Sequence, residues 1–142
     1  MAHKRHLSLE ALERRVWREP SFPSRLVTTC HRLRRIPIRD LSVEDLRLLI
    51  GQSIGLEYLV PLAIERLDED PLAAGDFFPG DLLLQVVTRG APIHERDRPL
   101  TSALAAICRR ALEMAETSPV SELARPSALA AYRAFVDQNG AA

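Results

Sequence analysis

The side chains best suited to chemistry in this sequence are a run of carboxylates between residues 68 and 81. Carboxylates in such density bind hard cations such as Ca²⁺ through their oxygen atoms. The run consists of Asp68, Glu69, Asp70, Asp76 and Asp81. It lacks the spacing and the central glycine of a calcium-binding loop. A solvated acidic surface with helix caps is therefore the preferred interpretation, and we expect no metal ion and no other cofactor.

The histidines and cysteines do not indicate a reaction either. Cys30 and Cys108 lie on apolar helical stripes, where a free thiol behaves as a small buried hydrophobe. Cys30 and His31 are adjacent, so they point in different directions from a helix and are poorly placed to share a metal. The sequence has no CxxC, HExxH, GxSxG or P-loop motif. These observations argue against an enzyme and favour a binding protein.

The elements that position these residues are predicted to be helices. Hydrophobic residues make up 46% of the 142 residues and aromatic residues only 5%, and the many Leu, Ala, Glu and Arg favour helix over strand. Apolar residues recur at helical spacing in six or seven segments separated by Gly and Pro. The predicted fold class is all-α, a compact single-domain bundle over residues 1–142 without significant sheet, with residues 1–7 disordered.

The clearest helix signals lie in the middle of the chain. Ser42 followed by Asp45 is a capping-box variant. Pro61 loses no helical hydrogen bond if it lies in a first turn, so the next helix is expected to start near Glu57 or Tyr58 and to run to about residue 70. A helical wheel places on one side Leu59, Val60, Ala63, Ile64 and Leu67. It places on the other side Glu57, Glu65, Asp68 and Glu69, with Tyr58 and Leu62 among these acids.

The segments after this helix are read from periodicity and breakers alone. Phe77 and Phe78 are expected to plug the core. A helix should open at Pro79 or Gly80, and residues 90–99 should form a polar connection. Two further helices are predicted, from about residue 100 to 116 and from about residue 126 to 138.

Charge is strongly segregated although the net charge is zero. Residues 1–40 carry ten Lys or Arg and four Asp or Glu, residues 41–88 carry two and nine, and residues 89–142 carry seven and six. Such segregation indicates a patch that steers a charged partner. The alternative is that the basic arm and the acidic middle face each other in the fold.

A basic helix over residues 24–35 supplies a rival interpretation, a nucleic-acid-binding regulator. Its end carries Arg32, Arg34 and Arg35, and cations near a helix C-terminus also stabilise the helix dipole. No aromatic platform accompanies these arginines, which disfavours nucleic acid as a partner. No segment approaches the roughly 20 apolar residues that span a bilayer, and no secretory signal opens the chain. We therefore expect a cytoplasmic protein with no membrane partner.

The central sequence resembles the immunity proteins of contact-dependent growth inhibition. The resemblance rests on three segments in order over roughly residues 9–87, preceded by CHRLRR at residues 30–35. They are Leu49-Ile50-Gly51-Gln52; Gly55-Leu56 through Leu59-Val60-Pro61; and Asp70-Pro71-Leu72 with Gly75-Asp76-Phe77 and Pro79-Gly80-Asp81-Leu82-Leu83.

This resemblance implies a small cytoplasmic α-helical protein that binds and neutralises a cognate toxin C-terminal domain, often a nuclease. A nuclease has a basic cleft, so an acidic helix-borne patch is the expected contact surface. The candidate toxin-binding residues are Glu57, Tyr58, Leu62, Glu65, Asp68, Glu69, Asp70, Asp76 and Asp81, with Tyr58 and Leu62 as apolar anchors. Besides the nucleic-acid regulator, a generic helical scaffold protein remains an alternative.

Overall fold

The computed structural model describes residues 4–21, 24–117 and 125–139. These residues form eight α-helices and no β-strand, which confirms the predicted all-α class. The helices are α1 (Leu9–Glu13), α2 (Arg25–Leu33), α3 (Val43–Gly51), α4 (Leu56–Glu69), α5 (Asp81–Thr88), α6 (Ala91–His94), α7 (Arg98–Thr117) and α8 (Pro126–Asn139). A single turn of 3-10 helix, Ile38–Asp40, precedes α3. Within the described ranges, no helix is both long enough and apolar enough to cross a bilayer.

The N-terminal segment packs against the chain that precedes α3. Residues 1–7 were expected to be disordered, and residues 1–3 lie outside the described residues. The backbone N–H of Arg39 donates to the Arg5 carbonyl over 3.0 Å, and the N–H of Ile38 donates to the Leu7 carbonyl over 3.0 Å. Arg5 and Leu7 therefore contact the chain before α3 through their backbone carbonyls, while the disorder expected for residues 1–7 stays a prediction.

Side chains cap the starts of α1 and α3, and the cap of α3 is the capping box predicted from Ser42 and Asp45. The Ser8 hydroxyl accepts a hydrogen bond of 3.2 Å from the N–H of Ala11 at the start of α1. At α3 the N–H of Asp45 donates to the Ser42 hydroxyl over 3.1 Å, and the N–H of Ser42 donates to the Asp45 carboxylate over 2.9 Å. This reciprocal pair satisfies two backbone donors that have no partner within the helix. The α1 helix ends early because Arg14 adopts a left-handed conformation with φ 54°.

The central helix, α4, contains its proline in its interior. It begins at Leu56, so Pro61 is its sixth residue and lies beyond the first turn. The expectation that Pro61 marks the first turn is therefore wrong. Pro61 cannot donate to the Glu57 carbonyl, which removes one interior helical hydrogen bond. The buried face of α4 outweighs this loss, because its side chains occupy the middle of the core.

The chain after α4 is more helical than its composition suggests. The α6 helix lies inside residues 90–99, where a polar connection was expected. The α7 and α8 helices match the two predicted C-terminal helices within about two residues, the usual uncertainty of helix ends.

The core is organised around α4, which contacts α3, α5, α6 and α7. The α7 and α8 helices pack against each other, and α8 also packs against α5. Cys30 and Cys108 are free and buried, as predicted. The C-terminal third of the chain thus closes one side of the core.

Candidate functional site

The α4 helix separates an apolar face from an acidic face, as its wheel predicts. Its buried residues are Leu59, Val60, Leu62, Ala63, Ile64 and Leu67. Its exposed carboxylates are Glu57, Glu65, Asp68 and Glu69, and the exposed Asp70 follows directly. One side of the helix therefore holds the core together while the other presents acids to solvent.

Basic side chains from distant parts of the chain engage two of these acids. The Arg5 guanidinium donates to the Glu65 carboxylate, and this hydrogen bond lowers the pKa of Glu65. Arg110 on α7 donates to the Asp68 carboxylate over 2.9 Å and to the Asp68 carbonyl over 2.8 Å. Among the described residues, Glu57 and Glu69 have no such ion pair. The interpretation that the basic arm faces the acidic middle thus holds locally, at Arg5 and Glu65.

The two apolar residues predicted as anchors, Tyr58 and Leu62, differ in how far they are exposed. Leu62 is only 4% exposed and belongs to the hydrophobic core. Tyr58 is half buried, and its hydroxyl lies 3.4 Å from the Leu12 carbonyl. The wheel angle of Leu62 was correctly read, but the packing of neighbouring elements covers it. A partner therefore cannot reach Leu62 while α4 remains folded into the core.

Asp81 holds the preceding loop and is not part of the surface. Its side chain is 2% exposed, and its carboxylate accepts hydrogen bonds from the N–H of Gly75 over 2.6 Å and of Phe77 over 3.0 Å. A carboxylate that accepts from backbone donors fixes a loop strongly, because charged acceptors form the stronger hydrogen bonds. The role assigned to Asp81 as a contact residue is therefore corrected to a structural one. Asp76, in the same loop, is exposed.

An ion pair on α3 supports this loop from the other side. The Nε and Nη2 atoms of Arg47 each lie 2.6 Å from the Glu44 carboxylate, and this pairing lowers the pKa of Glu44. Glu44 also accepts from the N–H of Asp76 over 2.8 Å. The Arg47 guanidinium lies 4.3 Å from the centre of the Phe77 ring. The i, i+3 spacing of Glu44 and Arg47 was a detectable signal for the pair, but nothing local connected it to the loop.

Phe77 and Phe78 differ in a way that the sequence did not indicate. Phe77 is 63% exposed, so the expectation that it plugs the core is wrong. Phe78 is half buried and packs against the core, with the Arg125 guanidinium 5.1 Å from its ring centre. The hydrogen bonds to Asp81 fix the loop backbone so that only the second ring points inward.

The first turn of α3 links this loop to the C-terminal end of α4. Glu44 bonds the loop through Asp76, as described above. The next residue, Asp45, lies near Arg66 on α4, and both Asp45 and Glu69 act electrostatically on Arg66. We call this region the acidic end; it consists of Glu44, Asp45, Glu69, Asp70 and Asp76. Its acids come from three separate stretches of sequence. In the described part of the chain, no cluster of three or more His, Cys, Asp or Glu has a geometry able to hold a metal ion.

Two arginines that directly follow α2, Arg34 and Arg35, are engaged within the protein. Arg34 is 1% exposed and donates to the Glu13 carboxylate over 2.6 Å and to the Arg15 carbonyl over 3.0 Å. Its guanidinium lies 4.3 Å from the centre of the Trp17 ring. Arg35 donates to Glu19 over 3.1 Å. Two of the three arginines proposed to contact nucleic acid therefore stabilise the packing of the N-terminal segment instead.

Comparison with known proteins shows the family to which this chain belongs. A family model described as CDI immunity proteins, where CDI is contact-dependent growth inhibition, matches residues 11–104. This range runs from α1 into the first turns of α7 and so extends beyond residue 87, where the resemblance noted in the sequence stops. Neither the curated proteins nor the solved structures contain a match to this chain.

Proposed function

The chain belongs to the CDI immunity proteins, and from this membership we propose that it binds and neutralises a cognate toxin C-terminal domain through a protein–protein interface. The observation that carries the choice of surface is the row of exposed carboxylates on α4, on the side opposite its buried face. The proposed contact surface comprises Glu57, Tyr58, Glu65, Asp68, Glu69, Asp70 and Asp76.

The charge of this surface favours a basic partner, and we propose that the toxin is a nuclease. A domain that binds nucleic acid carries a basic cleft that contacts phosphates. Carboxylates arranged on a rigid helix are able to occupy the same cleft and to speed association by electrostatic steering. Neutralisation then requires only that the cleft be covered, without any reaction catalysed by the immunity protein. A toxin that acts on nucleic acid inside the cell has to be met there, so we place the complex in the cytoplasm.

The basic helix offers weaker support for the rival function, a nucleic-acid-binding regulator. Arg34 is buried in its contacts with Glu13 and Trp17. Arg35 pairs with Glu10 and Glu19, with shortest distances of 3.6 and 3.1 Å. Ion pairing of this kind removes positive charge that phosphates would need.

Coexpression tests the proposed function directly. A candidate toxin domain, taken from the C-terminus of a large secreted protein encoded next to this chain, is expressed alone, with this chain, and with an unrelated helical protein of similar size. We expect the toxin and this chain to copurify and the cells to survive only when this chain is present. Separate purification together with unrescued growth would refute toxin neutralisation. Salt-sensitive binding of the free chain to DNA or RNA would favour the nucleic-acid-binding regulator. If the chain bound neither the toxin nor nucleic acid, the result would favour the helical scaffold protein.

A further inference from the structure

The loop between α4 and α5 exposes a large aromatic side chain that the core does not use. Phe77 is 63% exposed, whereas its neighbour Phe78 packs against the core. A single exposed apolar residue is common on protein surfaces and carries no meaning alone. Phe77 differs because the groups around it fix its position.

Hydrogen bonds hold the backbone N–H groups of Phe77 and of the two residues before it. The Asp81 carboxylate accepts from the N–H of Phe77 itself over 3.0 Å and from that of Gly75 over 2.6 Å. The Glu44 carboxylate accepts from the N–H of Asp76 over 2.8 Å. A residue fixed in this way before binding loses little conformational freedom when a partner covers it.

The side chains beside Phe77 match the composition of interface centres. The Arg47 guanidinium stacks over the ring at 4.3 Å from its centre, and Glu44 fixes that guanidinium through two hydrogen bonds of 2.6 Å. Aromatic residues and arginine are enriched where a few residues supply most of the binding energy. Asp76, an exposed carboxylate of the acidic end, directly precedes Phe77 and acts electrostatically on Arg47.

We propose that Phe77 is the apolar anchor of the toxin interface, inserting into an apolar pocket on a basic face of the toxin domain while the acidic end contacts the rim of that pocket. This inference rests on the proposed function and names the centre of its contact surface. The negative charge of the acidic end favours a basic toxin domain over a second copy of this chain as the partner. A twofold contact between two copies of this chain would bring two acidic ends together, and like charges across an interface repel.

Binding kinetics with the purified toxin domain test the anchor. Phe77→Ala is compared with wild type and with Val16→Ala, which truncates a side chain that is 71% exposed in the segment after α1. We expect Phe77→Ala to raise Kd by about 30-fold or more, mainly through faster dissociation. Val16→Ala should change Kd by less than about twofold, since scattered exposed residues contribute little. Phe77→Leu, which keeps an apolar side chain, should lie between wild type and Phe77→Ala.

The outcomes separate this inference from the function on which it rests. If wild type binds the toxin and Phe77→Ala binds equally well with unchanged helical content, the anchor is refuted and the proposed function stands. If wild type does not bind the toxin, both fail. If Phe77→Ala loses helical content, the decision passes to Phe77→Leu, and dissociation of Phe77→Leu at the wild-type rate would then overturn the proposal. Self-association of the free chain that Phe77→Ala abolishes, with toxin affinity unchanged, would assign the residue to a homodimer instead.

Discussion

The hydroxyl of Tyr132 on α8 donates a hydrogen bond of 2.6 Å to the backbone carbonyl of Gly80, the residue before α5. Gly80 lies within the family match at residues 11–104, and Tyr132 lies outside it. Tyr132 is 1% exposed, so this bond forms in the interior. The C-terminal helix therefore stabilises the turn that positions the loop with Phe77, although the family pattern does not include it.

Removing this hydroxyl is expected to weaken the fold measurably. Tyr132→Phe should lower the free energy of unfolding by about 1 kcal/mol, the usual net value of one intramolecular hydrogen bond. The loss stays modest because the Gly80 carbonyl also accepts from the N–H of Leu84 over 2.9 Å. Urea unfolding measures it, with Tyr58→Phe as the matched control, because the Tyr58 hydroxyl lies 3.4 Å from its acceptor. Equal effects of the two substitutions would contradict a specific role for the Tyr132 bond.

Substitution of Gly80 should destabilise the protein more than substitution of Tyr132. Its φ is 91°, a conformation that side chains with a Cβ atom rarely adopt. A Cβ atom added there would lie 2.7 Å from the Tyr132 hydroxyl oxygen. Gly80→Ala is therefore expected to cost about 2 kcal/mol or more in unfolding free energy, from backbone strain and this clash.

The control for Gly80 is Gly51, the last residue of α3. A Cβ atom there would meet the flexible Gln85 side chain at 3.4 Å, an ordinary contact. Gly51→Ala should be neutral or stabilise the protein by up to about 1 kcal/mol, because alanine is the better helix former. Similar losses in thermal unfolding for both variants would show that the Gly80 conformation is not specifically required.

Local signals predicted much of the fold because they act over a few residues. The capping box at Ser42 and Asp45 and the apolar periodicity of α4 both depend on neighbours within one or two turns. Pro61 was misplaced because a first-turn position costs less locally, whereas burial of the α4 face compensates for an interior proline. The α6 helix was missed because four residues carry too little periodicity.

The candidate site was less predictable, because its contacts join distant residues. The acidic face of α4 follows from the wheel, but Arg5 reaches Glu65 across 60 residues. Leu62 shares the angular range of the acids and is nevertheless buried, since a wheel does not report what covers a face. Likewise, Asp81 was read as a surface acid because its acceptor role depends on a loop that folds back onto α5.

A buried thiol makes the stability of this protein dependent on alkaline pH. Burial raises the pKa of Cys108 from its usual 9.0 to about 12. The Cys108 thiol of the folded protein therefore keeps its proton at pH values at which the unfolded chain has lost it. The stability that depends on the protonated thiol is fully present below pH 9 and is lost as the pH rises toward 12. Between pH 8 and pH 10, wild type should lose about 1.4 kcal/mol more unfolding free energy than Cys108→Ala.

Urea titrations at the two pH values, under reducing conditions, measure this difference. Cys30 is present in both proteins, so its own ionisation cancels in the comparison. The Cys108 thiolate also raises the pKa of Tyr132, but the folded protein forms that thiolate only near pH 12, above the range compared. The lower absolute stability expected for Cys108→Ala, which leaves a small cavity, does not enter the pH difference either. Identical pH dependence in the two proteins would mean that the Cys108 thiol ionises as readily in the folded state as in the unfolded chain.

The acids of α4 should affect the rate of association with the toxin more than the lifetime of the complex. Glu57 and Glu69 are exposed and form no salt bridge within the described ranges, although Glu69 acts electrostatically on Arg66, so their reversal breaks no direct ion pair of the fold. Glu57→Lys with Glu69→Lys should slow association with the toxin domain by about tenfold at low salt, with dissociation nearly unchanged. Stopped-flow mixing at several ionic strengths measures this effect, which should fade as salt screens the charges.

The matched control reverses two exposed acids elsewhere, Glu95 after α6 and Asp137 near the end of α8. Both double variants change the net charge equally, so only the position of the charge differs. Equal slowing by both pairs would mean that overall charge steers the toxin and that the α4 face has no special part. Slowing confined to Glu57 and Glu69, with dissociation controlled separately by Phe77, would assign the two stages of binding to different residues: long-range attraction to α4 and short-range retention to the loop that follows it.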